Sequence, residues 1–209
     1  MSTGLFSLRG RHVWLEPLTL DHLPGLLAAA SADPALYALT VVPQTRECMT
    51  EYVQTALAWR EAGTAFPFAV LRAGSGEVIG STRFYQLERW EWPEGHPLHA
   101  RATPDACEIG YTWYAPSAVR TAVNTEAKKL LLTHAFEQWQ VLRVCLHTDV
   151  RNERSRRAME RMGAKFEGIL RAHKIASDLT VRDSARYSIT AGEWPIVKAH
   201  LEALEQRYL

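Results

Sequence analysis

The chain has little cysteine: Cys48, Cys107 and Cys145, an odd number, far apart and without CxxC spacing. That pattern excludes a disulfide or zinc framework and reads as buried thiols in a reducing compartment. Long apolar runs are missing as well. No stretch approaches the roughly 20 residues of a membrane span, and Met1-Ser-Thr-Gly-Leu-Phe lacks the apolar core of a signal peptide. The cytoplasm is the expected address. Charge of one sign is also missing: 24 Lys and Arg balance 23 Asp and Glu, a formal +1. No generalised attraction to nucleic acid or membrane follows, and no basic–aromatic stripe marks a nucleic-acid face. There is no internal repeat, no Gly-x-Ser-x-Gly setting for a hydrolase serine, and no His/Cys/Asp spacing that suits a metal. His134 and His147 are single histidines within regular elements and read as packing or surface residues.

What is present is the composition of a globular chain, 47% hydrophobic and 22% charged, with enough apolar material for one domain over residues 1–209. Arg11 to Leu18 alternates and suits a first strand. Leu23, Leu26, Leu27 and Ala30 follow Asp21 with helical spacing, Asp21 serving as the cap. A second helix runs from Thr45 to Glu61, with Gly63 to stop it. Phe66–Arg72 and Val78–Leu87 are β-rich and separated by Ala73-Gly-Ser-Gly, a hairpin signal. Glu108 to Tyr114 reads as a strand, Thr125 to Trp139 as an amphipathic helix and Leu142 to Val150 as a strand. Residues 153–162 form a basic helix. Phe166–Lys174 and Val181–Ile189 make a last antiparallel pair, and Glu193–Tyr208 a closing helix. The order β-α-α-β-β-β-α-β-α-β-β-α predicts an α+β domain on a mixed, mostly antiparallel central sheet flanked by helices.

Residues 88–105 have neither period, with two Trp and two Pro in Arg89-Trp-Glu-Trp-Pro-Glu-Gly-His-Pro. A loop of that length in a compact domain is more often functional than idle. Trp90 and Trp92, beside Glu88, Glu91 and Glu94, either cover a satellite core or form an apolar, acidic wall for a cationic amine.

The densest information lies between Glu108 and Gly163. A strand (Glu108-Ile-Gly-Tyr-Thr-Trp-Tyr) and turn lead into Arg120-Thr-Ala-Val-Asn-Thr-Glu-Ala-Lys, then a helix, a second strand, and Asn152-Glu-Arg-Ser155. A helix N-terminus placed straight after a strand and turn carries unpaired N–H groups and the positive end of the helix dipole, a natural seat for phosphates. The bland alternative is a helix start capped by Thr121 or Asn124. Asn152 is an N-cap for the basic helix, and positions 152 and 155 lie about a turn apart. Glu108 opens an otherwise apolar strand, which is unusual unless it reaches a cleft or a cation. A carboxylate there suits an acceptor for the proton of an attacking amine, since even an α-amine has a pKa of about 7.7–8. Its rival role is an ion pair with an arginine.

This strand–elbow–helix–strand–Asn order resembles the coenzyme-A-binding core of the GNAT acetyltransferase superfamily, and Val123-Asn-Thr-Glu-Ala-Lys looks most like its RimJ/RimL-type branch. The resemblance implies acetyl-CoA as cosubstrate, without metal, and acetyl transfer to a primary amine, either a protein N-terminus or a small molecule. It implies cofactor contacts from Tyr111, Trp113, Arg120, Thr121, Ala122, Val123, Asn124, Thr125, Asn152 and Ser155. Glu108 would be the general base and Ser155 the proton donor near sulfur, with Trp90 and Trp92 at the acceptor. A homodimer is compatible with it. The family's elbow keeps two glycines; here both are replaced, and Ala122 is the departure that bears on phosphate affinity. A non-catalytic acyl-CoA-binding or protein-interaction module on the same fold is the alternative, and Glu108 discriminates, because a pure binder has little use for a carboxylate at the thioester.

Overall fold

The computed structural model describes residues 4–208, and its backbone is one eight-stranded sheet in the order β1-β2-β3-β4-β5-β6-β8-β7. The strands are β1 (Leu8–Arg9), β2 (Val13–Pro17), β3 (Ala65–Arg72), β4 (Val78–Glu88), β5 (Ala106–Tyr114), β6 (Arg143–Asp149), β7 (Lys165–Ile175) and β8 (Val181–Thr190). Neighbours are antiparallel except β5 and β6, which run parallel with α3 (Val123–Thr133) crossing between them. The other helices are α1 (Leu23–Ser31), α2 (Arg46–Glu61), α4 (Glu153–Arg161) and α5 (Trp194–Glu205). The expected class and order hold, with a short β1 added at the edge.

Sequence periodicity explains most of this. Met49, Val53 and Ala56 of α2 lie buried one turn apart, and Ala127, Leu131 and Leu132 do the same on α3. Phe84 on β4 packs with its ring 4.6 Å from that of Trp139, whose side chain reaches the core because the chain after α3 widens into a π-turn at His134–Gln138. The expected α-helix to Trp139 is corrected there. Asp21 does not cap α1: it lies within a 3₁₀ turn, Leu20–His22, that begins after Thr19, whose backbone N–H and hydroxyl meet His22 Nδ1 at 3.1 Å. Cys107 and Cys145 are buried, but Cys48 is exposed, because it points outward from the first turn of α2.

A polar clamp joins the sheet edge to α3. Glu126 is buried on that helix and accepts from the backbone N–H groups of Arg11 (2.8 Å), His12 (2.6 Å) and Val13 (2.8 Å). A Cβ on Gly10 would sit 2.5 Å from its carboxylate oxygen, so only glycine admits the clamp. The β1–β2 turn is thereby tied to the helix whose N-terminus forms the elbow.

Candidate active site

The site begins where the sheet splits. β5 pairs with β6 only from Ala106 to Glu108, while β6 continues against β8 as far as Asp149. Beyond Glu108 one edge of β5 has no partner strand among the described residues, which leaves backbone groups there for a ligand, apart from the Tyr114 carbonyl, which accepts from Tyr37 OH at 3.0 Å. A bulge on the opposite edge widens the split: Arg83 pairs with Gly110 and Ser81 with Trp113, leaving Tyr111 and Thr112 opposite Thr82 alone. Tyr111 takes a left-handed backbone there, φ 50°. Gly110 is required beside it, since a Cβ would meet the Tyr85 ring at 2.7 Å.

Below the split stands the elbow. The chain leaves β5 through a 3₁₀ turn, Pro116–Ala118, passes Arg120 at φ 62° and enters α3 at Val123. From residue 120 to 125, only Val123 N–H finds an acceptor among the described residues, Thr121 Oγ1 at 3.3 Å. Thr121 itself donates to Ala118 C=O at 2.7 Å while accepting from Val123 N–H, so it takes up one N–H at the helix start; Asn124 makes no capping bond among the described residues, and the N-cap position is Ala122, which offers none. The left-handed residue is Arg120. Ala122 has ordinary helical geometry (φ −62°), so the missing glycine costs nothing in backbone strain. An open run of N–H groups at a helix N-terminus beside an unpaired strand edge fits a pyrophosphate followed by an extended amide arm.

Across the split, Asn152 caps α4, its Oδ1 accepting from Ser155 N–H at 3.1 Å. Ser155 is half-buried on the first turn. Behind the bulge lies a group the sequence reading missed: Lys128, buried on α3, donates to Thr112 Oγ1 at 2.8 Å, and that hydroxyl is 2.8 Å from Thr82 Oγ1. With no carboxylate beside it, burial pulls the Lys128 amine down to about 7.

Glu108 lies at the point of the split, 3% exposed. Tyr85 OH and His147 Nδ1 both donate to its Oε1, and among the described residues nothing bonds Oε2. Burial alone would raise the carboxyl's pKa. The His147 and Tyr85 hydrogen bonds and the Lys174 charge outweigh it, so the net shift is downward and the group is a carboxylate at neutral pH. Among the described residues no arginine pairs with it. His147, expected to pack or to lie at the surface, is instead a partner of the carboxylate. What brings it here is its place on β6 two residues past Cys145, the residue that pairs with Glu108 across the parallel strands, so that it shares a strand face with Cys145. His173 stacks edge-on against it, ring centres 5.0 Å apart.

The loop 88–105 is irregular but latched. Buried Asp105 accepts from Trp90 N–H (2.7 Å) and Trp92 Nε1 (2.8 Å) and pairs with Arg101 (2.8 Å), which also bonds the carbonyls of Pro104 and Gln140. These contacts and the Arg101 charge outweigh burial and hold the Asp105 carboxyl below its usual range. Trp92 stacks on His96, centres 4.3 Å apart, and Trp90 Nε1 donates to Glu88 at 3.1 Å. Neither indole meets Glu108; both are tied into the loop itself.

A split sheet with a carboxylate at its apex and a run of largely unpaired N–H groups at its mouth suits an extended ligand that ends in an anion. The chain belongs to the GNAT acetyltransferase family, whose domain is matched by residues 12–165. YdaF of Bacillus subtilis (strain 168), named as a ribosomal N-acetyltransferase, is 36% identical over 87 residues; the alignment takes in 42% of this chain and 46% of YdaF, less than half of either. A structure described as an acetyltransferase from T. thermophilus is 36% identical with a TM-score of 0.77, over 97% of this chain and 98% of that one. Mycobacterium smegmatis RimJ, solved with a CoA-disulfide, shares the fold at 21% identity and a TM-score of 0.76, over 96% of this chain and 94% of RimJ.

Proposed function

We propose that the chain moves an acetyl group from acetyl-CoA to a primary amine by direct attack within the split, with Glu108 as general base. The observation that carries this is Glu108 itself: an ionised carboxylate at the apex, one oxygen held by Tyr85 and His147 and the other unclaimed. Backbone groups along 109–114 would hold the amide arm, with Tyr111 and Trp113 beside it. The N–H run from Arg120 to Thr125, together with the Arg120 charge, would hold the phosphates. Asn152 would bond the arm from the far wall.

The acceptor nitrogen forms a bond to the acetyl carbon as the carbon–sulfur bond breaks. Glu108 Oε2 takes the nitrogen's proton, and the thiolate takes one through the Ser155 hydroxyl, which regains it from solvent. Most of the acceleration comes from holding both reactants in one cleft. Tyr85 and His147 act as positioning residues, because they fix Oε1 and turn Oε2 toward the nitrogen. The name of YdaF favours a protein N-terminus as the acceptor. Incubating the purified chain with acetyl-CoA and a panel of peptides and small amines, reading free thiol, tests the reading. Acceptor-dependent release supports it; acetyl-CoA binding without release from any acceptor would leave a binding module.

A further inference from the structure

On the strands around Glu108 stand three cations, Arg83, Lys174 and Arg182, that have no ion-pair partner among the described residues. Arg83 on β4 is 1% exposed, and its Nε and Nη2 have no hydrogen-bond partner among the described residues. Its guanidinium lies between three rings, 4.2 Å from Tyr111, 4.8 Å from Tyr52 and 5.3 Å from Trp59. Lys174 Nζ stands 5.4 Å over the Tyr85 ring. Among the described residues Arg182 bonds only to Ser184, through its Nε at 3.1 Å. Among the described residues no carboxylate comes within ion-pair distance of any of these three cations, and Glu108 is already shared with His147.

A buried guanidinium without an anionic or hydrogen-bonding partner is costly, and ring faces offset only part of that cost. Arg83 also lies in line with the chemistry. It and Tyr85 share one face of β4, about 7 Å apart at strand spacing, and Tyr85 bonds Glu108. Tyr111 touches both, its ring 5.2 Å from Tyr85, and at 38% exposed it is the part of the cage that faces solvent.

We infer that the acceptor carries a carboxylate close to its amine, and that Arg83 is the group that receives it. The inference rests on the proposed acetyl transfer and narrows its substrate class. With the amine at Glu108 Oε2 and the carboxylate forked by Arg83, the two groups of the acceptor lie within one or two residues of each other. Lys174 and Arg182 add to the attraction. Such a carboxylate comes either from a free amino acid or from an acidic side chain next to a peptide N-terminus. A polyamine or other multiply cationic acceptor is disfavoured.

The test compares matched acceptors: alanine with alaninamide, and the peptide amides Ala-Asp-Ala with Ala-Asn-Ala. Thiol release gives kcat and KM, and calorimetry gives acetyl-CoA affinity. The expected result for the wild type is a preference of about tenfold or more in kcat/KM for the carboxylate member of one pair, carried by KM. A preference confined to the first pair identifies free amino acids, and one confined to the second identifies acidic N-termini. Arg83→Gln should bring that ratio to within about twofold without weakening acetyl-CoA binding, and Arg83→Lys, which keeps the charge but not the fork, should give an intermediate ratio. If Arg83→Gln does not fold, the Lys variant alone decides between the two. Equal use of both members by the wild type, a ratio unmoved by either substitution, or a loss confined to acetyl-CoA affinity would overturn the inference while leaving acetyl transfer standing. Absence of thiol release with every acceptor would remove both.

Discussion

Tyr85 is the residue whose removal reads out the state of Glu108 most cleanly. Its hydroxyl is one of two donors to Oε1, and together with His147 it keeps the carboxyl below its ordinary range despite burial. Two consequences follow for pH dependence. In the wild type Glu108 is ionised throughout the neutral range, so the acidic limb of kcat/KM there follows the amine: acceptors of lower amine pKa should reach their plateau at correspondingly lower pH. In Tyr85→Phe the donor is lost, the Glu108 pKa rises, and a second proton-dependent loss should enter from the acidic side. Measuring both enzymes across the acidic and neutral range checks this. An unaltered acidic limb in Tyr85→Phe would mean that the hydroxyl does not hold the carboxylate.

At the scale of elements, the elbow and the long loop make separate predictions. Ala122 is 4% exposed and helical, at the start of the run of open N–H groups. Ala122→Asp would add bulk and negative charge beside the phosphates, so acetyl-CoA Kd should rise at least tenfold by calorimetry. Some loss of Tm is expected from the burial, and unchanged affinity in a folded variant would remove the phosphates from this elbow. The loop 88–105 hangs on Asp105. Excising residues 91–100 should raise acceptor KM or change acceptor preference while sparing acetyl-CoA affinity. Identical kinetics with every acceptor would make the loop a cover only. Sequence was a good guide to these elements where period and spacing are local: strands and helices lie where alternation and three-to-four spacing put them. It was a poor guide where the deciding contact is long-range. Thr121 and Asn124 looked like caps, but only Thr121 takes up an N–H at the helix start, that of Val123, and the rest of the run stays open among the described residues. Trp90 and Trp92 read as either a satellite cover or an acceptor wall, and the latch of their N–H groups on Asp105 and Glu88 carried no local signal. His147 and Arg83 carried no local signal, because each matters only through the strand set beside it.

For the molecule as a whole, placing a cleft in the middle of a sheet leaves ionisable groups inside the protein, and folding stability should register them. Lys128, drawn down to about 7 by burial, binds fewer protons folded than unfolded between that value and the ordinary lysine range. Stability should therefore rise as pH is raised from about 7 toward about 10.4. Lys128→Met should flatten that rise, as followed by denaturant unfolding at several pH values; a slope equal to that of the wild type would mean that the amine is solvated. The central claim concerns Glu108, and Glu108→Gln tests it most directly, because shape and burial persist while the proton acceptor is lost. Acetyl-CoA affinity, Tm and kcat should be measured on one preparation. The account predicts acetyl-CoA affinity near that of the wild type and kcat lower by about 10²–10⁴, partly recovered at high pH as more amine becomes neutral unaided. Full kcat per folded molecule in a Glu108→Gln protein, with only Tm reduced, would contradict it.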